Sequence, residues 1–320
     1  MSILLNPQHI HIELSSKCTL KCPRCPRTEL HPDSLNKEIS LDEFRQAFDL
    51  TLLSSIQKIT FCGDIGDPIY AKDFLEIVKY TKQANVNLVI VTNGSYKSTA
   101  WWQELGSVLT ANDTVYFSVD GWDQSSNEQY RANSNFESIV NGASALRAST
   151  SAQMLWSAIY FKFNEDKMNQ IQALAKSLGF DTFHTVSSSK FDNQYLVNGV
   201  DPLKPLHYYS KNAQYRVETT SLNEKIIPIV KFQTRSKHAW ARCVNWQKEM
   251  FINVDGYVFP CPWFNSGYLE NSFFDKHKHT LNIKTRTLTE VLNDPLWEEL
   301  YSLFDNNPLD ICKMKCKNAR

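Results

Sequence analysis

Ser16-Lys17-Cys18-Thr19-Leu20-Lys21-Cys22-Pro23-Arg24-Cys25-Pro26 holds three cysteines within eight residues, and this stretch decides how the rest of the chain reads. Three residues separate the first pair of cysteines and two separate the second. The segment reads as a loop held open by Pro23 and Pro26, on which three thiolates can converge. It follows an alternating run, His9-Ile10-His11-Ile12-Glu13-Leu14, which has the period of a strand. A structural zinc site takes four protein ligands, whereas three cysteines suit an iron–sulfur cube that leaves one iron open to a small molecule. A zinc knuckle completed by His9 or His11 is the alternative, although both histidines sit upstream in the strand pattern.

The remaining composition narrows the class. The chain has 320 residues, 34 basic and 34 acidic, with 42% hydrophobic residues. It is too apolar and too weakly charged for a disordered protein. Its length suits about two domains, or one barrel-sized domain with an appendage. A neutral balance argues against binding nucleic acid through a broad basic face. No apolar run approaches the roughly 18 to 20 residues that span a bilayer. Met1 to Pro7 lacks the basic and apolar parts of a secretion signal, so a cytoplasmic chain is expected. Eight cysteines in that setting point to metal ligands, catalytic thiols or scattered core residues rather than disulfides. Beyond the first three, Cys243, Cys261, Cys312 and Cys316 fall in the last quarter, and Cys62 stands alone.

The first cysteine group, at the end of a first strand, resembles the radical S-adenosylmethionine (SAM) superfamily. The resemblance implies a 4Fe–4S cluster on Cys18, Cys22 and Cys25, whose open iron chelates the amino and carboxylate groups of SAM. One electron then cleaves SAM to methionine and a 5′-deoxyadenosyl radical. The aromatic residue often found before the last cysteine is Arg24 here.

The chain downstream agrees in order. Ile56 to Phe61 reads as a strand running into Cys62-Gly63-Asp64-Ile65-Gly66-Asp67-Pro68. Glycines allow close backbone approach, and an acidic residue at a strand end can accept from an ammonium group. The segment resembles the family's Gly-Glu-Pro motif in a Gly-Asp-Pro form, so Gly63, Gly66, Asp67 and Pro68 are expected at the SAM amino group. A helix from Asp73 to Ala84 precedes the apolar strand Asn87 to Val91, which ends at Thr92-Asn93-Gly94, another family-like strand end. A helix around Trp101 to Leu109 leads to a strand from Thr114 to Val119. By resemblance, Ser118 and Asp120 belong near the ribose and Arg131 near the methionine carboxylate. A fifth strand, Leu155 to Phe161, has Asn164 beyond its end. A helix from Lys167 to Leu178 stops at Gly179, and Asp181 to Val186 is a sixth strand. These steps predict an α/β fold, a partial (β/α)6 TIM-type barrel over 1–190 with polar residues at the strand C-termini.

Residues 191–240 read as a bridging segment over the barrel mouth, with Tyr208, Tyr209, Lys211 and Tyr215 as candidates to line a substrate pocket, or equally as a solvated linker with aromatic anchors. In 241–320, Asp255-Gly256 between two short strands signals a hairpin that brings Cys243 and Cys261 together. Cys312 and Cys316 lie one helical turn apart, so their thiols share a side. Four thiolates suit either a closed cluster or a tetrahedral zinc. The pattern resembles the auxiliary-cluster domain called SPASM, in its shortened twitch form. That implies a small α+β domain holding a second 4Fe–4S cluster on Cys243, Cys261, Cys312 and Cys316.

The expected activity is therefore hydrogen abstraction from a peptide or a small polar molecule, for oxidation or another radical modification. Electrons would come from a reductant such as flavodoxin or ferredoxin. Only seventeen residues precede Cys18, so a peptide substrate is expected to need a separate carrier protein or direct recognition. Two other readings stay open. Cys62 could donate a hydrogen atom to a substrate radical, as in an epimerase, or the chain could be a non-catalytic iron–sulfur electron-transfer or metal-binding protein.

Overall fold

Isoleucine alternates with histidine in β1 (His9–Ile12), and the structure buries Ile10 and Ile12 completely while leaving His9 and His11 half-buried. The computed structural model describes residues 5–29, 36–188, 191, 193–208, 216–222, 243, 249–265, 272–277 and 279–306. After β1 the chain forms α1 (Pro26–Glu29), α2 (Leu41–Ala47), α3 (Leu50–Ser55), β2 (Lys58–Phe61) and α4 (Phe74–Lys82). Then come β3 (Asn87–Thr92), α5 (Thr99–Val108), β4 (Thr114–Ser118), α6 (Gln124–Asn127) and α7 (Phe136–Ser149). β5 (Gln153–Ile159), α8 (Met168–Ser177), β6 (Thr182–Ser187) and β7 (Arg216–Ser221) follow, before the pair β8 (Glu249–Ile252) and β9 (Val258–Phe259). Three short helices, Ser272–His277, Leu288–Leu292 and Leu296–Asn306, complete the described chain. No helix among the described residues is long and apolar enough to cross a membrane.

The chain divides into two compact units. One contains Met1–Lys17, Leu30–Leu88 and Val230–Arg320; the other contains Cys18–Glu29 and Val89–Ile229.

In the first unit, β1 pairs in parallel with β2 on one flank and with β8 on the other, while β9 folds back antiparallel on β8. Gly256, at φ 85, turns that hairpin, a conformation glycine adopts without steric cost. α4 buries Phe74, Ile77, Val78 and Thr81, spaced for one helical face. Ser40 opens α2 with a capping box: its hydroxyl accepts from the Glu43 N–H while Glu43 reaches back to the Ser40 N–H.

In the second unit, β3, β4, β5 and β6 run parallel in chain order, and polar β7 lies antiparallel along β6. α5 and α7 pack together where Gly142 leaves room for Trp102: a Cβ at Gly142 would fall 2.3 Å from the indole Nε1. Asn135 opens α7 by accepting from the Ser138 N–H at 2.8 Å, and Phe136, Ile139, Ala143 and Leu146 line its buried face. This fourteen-residue helix and β7 are absent from the expectations above. β7 carries a polar sequence, Arg-Val-Glu-Thr-Thr-Ser, with no apolar alternation to announce a strand.

Candidate functional site

The three-cysteine loop is tied down by its own backbone. Lys21 donates its N–H to the Ala132 carbonyl at 2.9 Å, and Asn133 Nδ2 donates to the Thr19 carbonyl at 2.6 Å. The Cys25 N–H reaches the Cys22 carbonyl at 3.2 Å and the Thr28 N–H reaches the Cys25 carbonyl at 2.9 Å, so the third cysteine leads into α1. Leu20, Cys22, Tyr130 and Phe161 form a buried apolar cluster, with Cys18 and Cys25 packed against it. None of the three is in a disulfide. Asn93 Nδ2 points a hydrogen bond at Cys18 Sγ, 3.7 Å away.

This donor set fits an iron–sulfur cube. Among the described residues no three His, Cys, Asp or Glu side chains converge on one ion. A cube does not require that, because each thiolate binds its own iron. The zinc alternative needs a histidine, yet both rings are engaged elsewhere. His9 Nε2 lies 2.8 Å from Thr60 Oγ1, and His11 Nε2 lies 3.1 Å from the Cys62 carbonyl. Burial lowers the His11 pKa to about 4, so the ring stays neutral.

At the strand ends of the same unit the polar residues interlock. Thr92 Oγ1 accepts from the Gly94 N–H at 3.0 Å and Asn93 Oδ1 from the Ser95 N–H at 2.9 Å. Ser118 closes β4 half-buried. Asp120 is fully buried: one oxygen accepts from the Ile159 N–H at 2.7 Å and the other from Arg131 Nε at 2.6 Å. Asn164 donates to the carbonyls of Asp120 and Ile159 at 2.8 and 2.9 Å and accepts from the Phe161 N–H at 2.8 Å. Asp120, Arg131 and Asn164 therefore form one network joining the ends of β4 and β5. The Arg131 guanidinium also lies close enough to Cys22 to offset part of the rise that burial imposes on that thiol.

The Gly63 to Pro68 turn belongs to the first unit. Its two glycines are obligatory by contact: a Cβ on Gly63 would sit 2.3 Å from the Gly66 carbonyl oxygen, and one on Gly66 only 1.9 Å from that of Ser15. The Asp67 N–H donates to the carbonyl of Lys17, the residue before Cys18, at 2.9 Å. Asp67 Oδ1 accepts from the Ile69 N–H at 3.2 Å, and Pro68 opens a short 3-10 turn. Cys62, at the start of this turn, is pushed up to about 12 by burial and by the carboxylates of Glu13, Asp67 and Asp64. It is held as a thiol.

Two residues here were not among the expected site residues. Glu13 is fully buried at the end of β1; Oε1 accepts the N–H groups of Asp64 and Ile65, and Oε2 lies 3.5 Å from Asn265 Nδ2. Burial raises its pKa to about 8. A carboxylate inside an alternating apolar strand was the available signal. The second is Arg24, whose Nη2 donates to Asp201 Oδ1 in a buried pair.

In the C-terminal segment the hairpin forms as the Asp255-Gly256 signal implies. Asn253 braces it, accepting the Tyr257 N–H at 2.9 Å on its side chain and the Gly256 N–H at 2.9 Å on its carbonyl. Cys243 and Cys261 are half-buried, and neither is in a disulfide. The buried Tyr301 phenol has its pKa raised by burial and then by these two sulfurs, so both lie within its electrostatic reach. Cys312 and Cys316 lie outside the described residues, as do Tyr209, Lys211 and Tyr215. Tyr208 is exposed and stacks on Tyr160 with ring centroids 4.4 Å apart.

Comparison with known proteins places this geometry. The model of the radical SAM superfamily matches residues 12–178, more than half of the chain, and that of SPASM, an iron–sulfur cluster-binding domain, matches residues 243–317. An AdoMet-dependent heme synthase of Methanosarcina barkeri is 24% identical over 283 residues, 82% of this chain and 77% of that protein. A PqqA peptide cyclase of Granulibacter bethesdensis is 21% identical, covering 82% of this chain and 69% of that one. The structure of Streptococcus suis SuiB bound to precursor peptide SuiA superposes with a TM-score of 0.59 at 14% identity, over 94% of this chain and 68% of that chain. The fold is thus the TIM-like partial barrel of these structures followed by a SPASM-type domain.

Proposed function

The chain belongs to the radical SAM superfamily, and from that premise we propose that it abstracts a hydrogen atom from a peptide or a small polar substrate, leading to oxidation or another radical modification. When bound, a 4Fe–4S cluster on Cys18, Cys22 and Cys25 supplies the electron that splits SAM into methionine and a 5′-deoxyadenosyl radical. The observation that carries the reading is the gathering of Cys18, Cys22 and Cys25 at one apolar cluster with Tyr130 and Phe161.

The chain's own residues have distinct tasks in this scheme. Asp67, its backbone fixed on Lys17, would take the SAM ammonium group. Gly63 and Gly66 keep the turn thin enough for that approach. Asp120, Arg131 and Asn164 would bind the ribose and carboxylate end, with Ser118, Thr92 and Asn93 at the neighbouring strand ends. The apolar walls of the cysteine loop exclude water. Cys243, Cys261, Cys312 and Cys316 would hold a second, auxiliary 4Fe–4S cluster. A flavodoxin- or ferredoxin-type reductant would deliver electrons. The peptide arm draws on the names of the PqqA peptide cyclase and of SuiB with its precursor peptide; a peptide substrate would be brought by a separate carrier protein or recognised directly.

Anaerobic reconstitution with iron and sulfide, followed by dithionite and SAM, tests the proposal. 5′-Deoxyadenosine formation is expected, and deuterium should pass into it from a labelled substrate. No 5′-deoxyadenosine from a chain carrying its full iron would overturn the reading. A second reading, epimerisation, would use the Cys62 thiol as the hydrogen-atom donor.

A further inference from the structure

Arg24 sits between Cys22 and Cys25, and its side chain is enclosed by one segment of the same unit. Asp201 Oδ1 accepts from its Nη2. The Tyr195 ring lies 4.2 Å from its guanidinium carbon and the Phe191 ring 5.1 Å from it. Both partners of the ion pair are 3% exposed. Phe191 and Leu203 of that segment also pack on the apolar cluster that contains the cysteine loop.

The same carboxylate shapes the segment itself. Asp201 Oδ1 accepts the Leu203 N–H at 2.9 Å, so the group that grips Arg24 also sets the turn that lays Leu203 against the loop. Asp201 Oδ2 is buried with no hydrogen-bond partner, which puts the cost of the buried charge on the Arg24 contact. Between these anchors, Val197, Asn198, Gly199 and Val200 form a tight two-residue hairpin turn whose apolar side chains, with Leu196, face outward. Residues 206–207 have a separate anchor, the Glu165 carboxylate, which accepts their N–H groups. In the stretch ahead of them Arg24 grips Asp201, while the Lys162 N–H donates to the Leu203 carbonyl at 3.0 Å. A buried ion pair adds little net stability, and its use lies in fixing one arrangement.

We propose that Arg24 is a positioning residue: through Asp201 it holds residues 191 and 193–203 down on the three-cysteine loop, and it carries its positive charge on the residue next to Cys25. The proposal rests on that loop being the cluster site. A cation next to a cluster favours its reduced, more negative state, and a carboxylate opposes it.

Two measurements test it. In the metal-free chain, amide hydrogen exchange over 193–203 is compared for wild type, Arg24→Leu, Asp201→Asn and the double variant. Each single change should speed exchange at least tenfold, with the double no faster than the faster single, because both remove one interaction. Unchanged exchange, or effects that add, would overturn the proposal. Arg24→Lys with Asp201→Glu retains a pair, and protection should return towards wild type; loss equal to that of the singles counts against it. In the reconstituted protein, Arg24→Leu should lower the cluster's midpoint potential and Asp201→Asn should raise it, whereas a purely structural tether would move both the same way. A chain without a cluster at this loop would fail the second measurement and still pass the first, which separates this proposal from the reading it rests on.

Discussion

Arg131 Nε lies 2.6 Å from Asp120 Oδ2, and the other oxygen of that carboxylate takes the backbone N–H of Ile159 at 2.7 Å. The Asp120 side chain has no exposure, and that of Arg131 is 16% exposed. Removing one member of a buried pair strands the other, which typically costs about 3–5 kcal/mol. Asp120→Ala and Arg131→Met are each expected to lose an amount in that range in urea unfolding of the metal-free chain, and the double variant less than their sum. Losses below about 1 kcal/mol would show that the pair is not what joins the two strand ends.

Glu13 predicts a pH dependence. Its carboxyl is raised from 4.5 to about 8 in the folded chain by burial. The folded state therefore binds a proton that the unfolded state has released between those values, so stability is greatest below about 4.5 and falls as pH rises towards 8. The contribution is on the order of a few kcal/mol. Glu13→Gln keeps an acceptor for the Asp64 and Ile65 N–H groups without the charge. Its unfolding free energy should vary less between pH 5 and 8 than that of wild type; equal slopes would refute the assignment.

Gly66→Ala places a methyl 1.9 Å from the Ser15 carbonyl oxygen, a backbone atom that cannot swing aside. The turn must shift, and Asp67 shifts with it. SAM binding by the reconstituted protein is expected to weaken at least tenfold, about 1.4 kcal/mol. Thermal unfolding of the metal-free variant should show a stability loss of about 1–3 kcal/mol. Unaltered SAM affinity would remove this turn from the binding site.

Metal analysis decides the C-terminal thiols. Two 4Fe–4S clusters require about eight irons per chain. Cys261→Ala should bring this to about four without abolishing 5′-deoxyadenosine formation. About four irons with one zinc in the wild type would establish a tetrahedral structural site instead.

Cys62→Ala separates the two reaction readings. Raised to about 12, the thiol should react slowly with iodoacetamide at pH 8 in the native chain. If epimerisation is the reaction, the variant should cleave SAM but accumulate stalled substrate radicals or their quenched products. Full turnover would end that reading.

The sequence carried the strands of the partial barrel well because their signals are local. Asn87 to Thr92 is an apolar run ending in polar residues, and Asp255-Gly256 marks its hairpin within four residues. α7 was harder, since Ser, Ala and Gly dilute its apolar face, and its partner Trp102 lies 40 residues away in sequence. The cysteines announced themselves by spacing. Their supports did not: Arg24 and Asp201 are 177 residues apart, and Glu13 meets Asn265 across 252. Such pairs are fixed by tertiary packing, which no local pattern encodes. Asp120 and Arg131 were expected as separate ligand contacts, and their bond to each other had no local signal.

β1 has a parallel neighbour on each flank, and one of them is β8, where His9 stands opposite Glu249. A nascent chain leaving the ribosome therefore carries the strand ahead of its first cysteine with one row of backbone donors and acceptors unmatched until residue 252 emerges. Open edges of this kind recruit foreign strands, and pairing across such a separation is slow. Shielding during synthesis becomes a requirement of the topology, and a product terminated before β8 should aggregate even though all six barrel strands have been made.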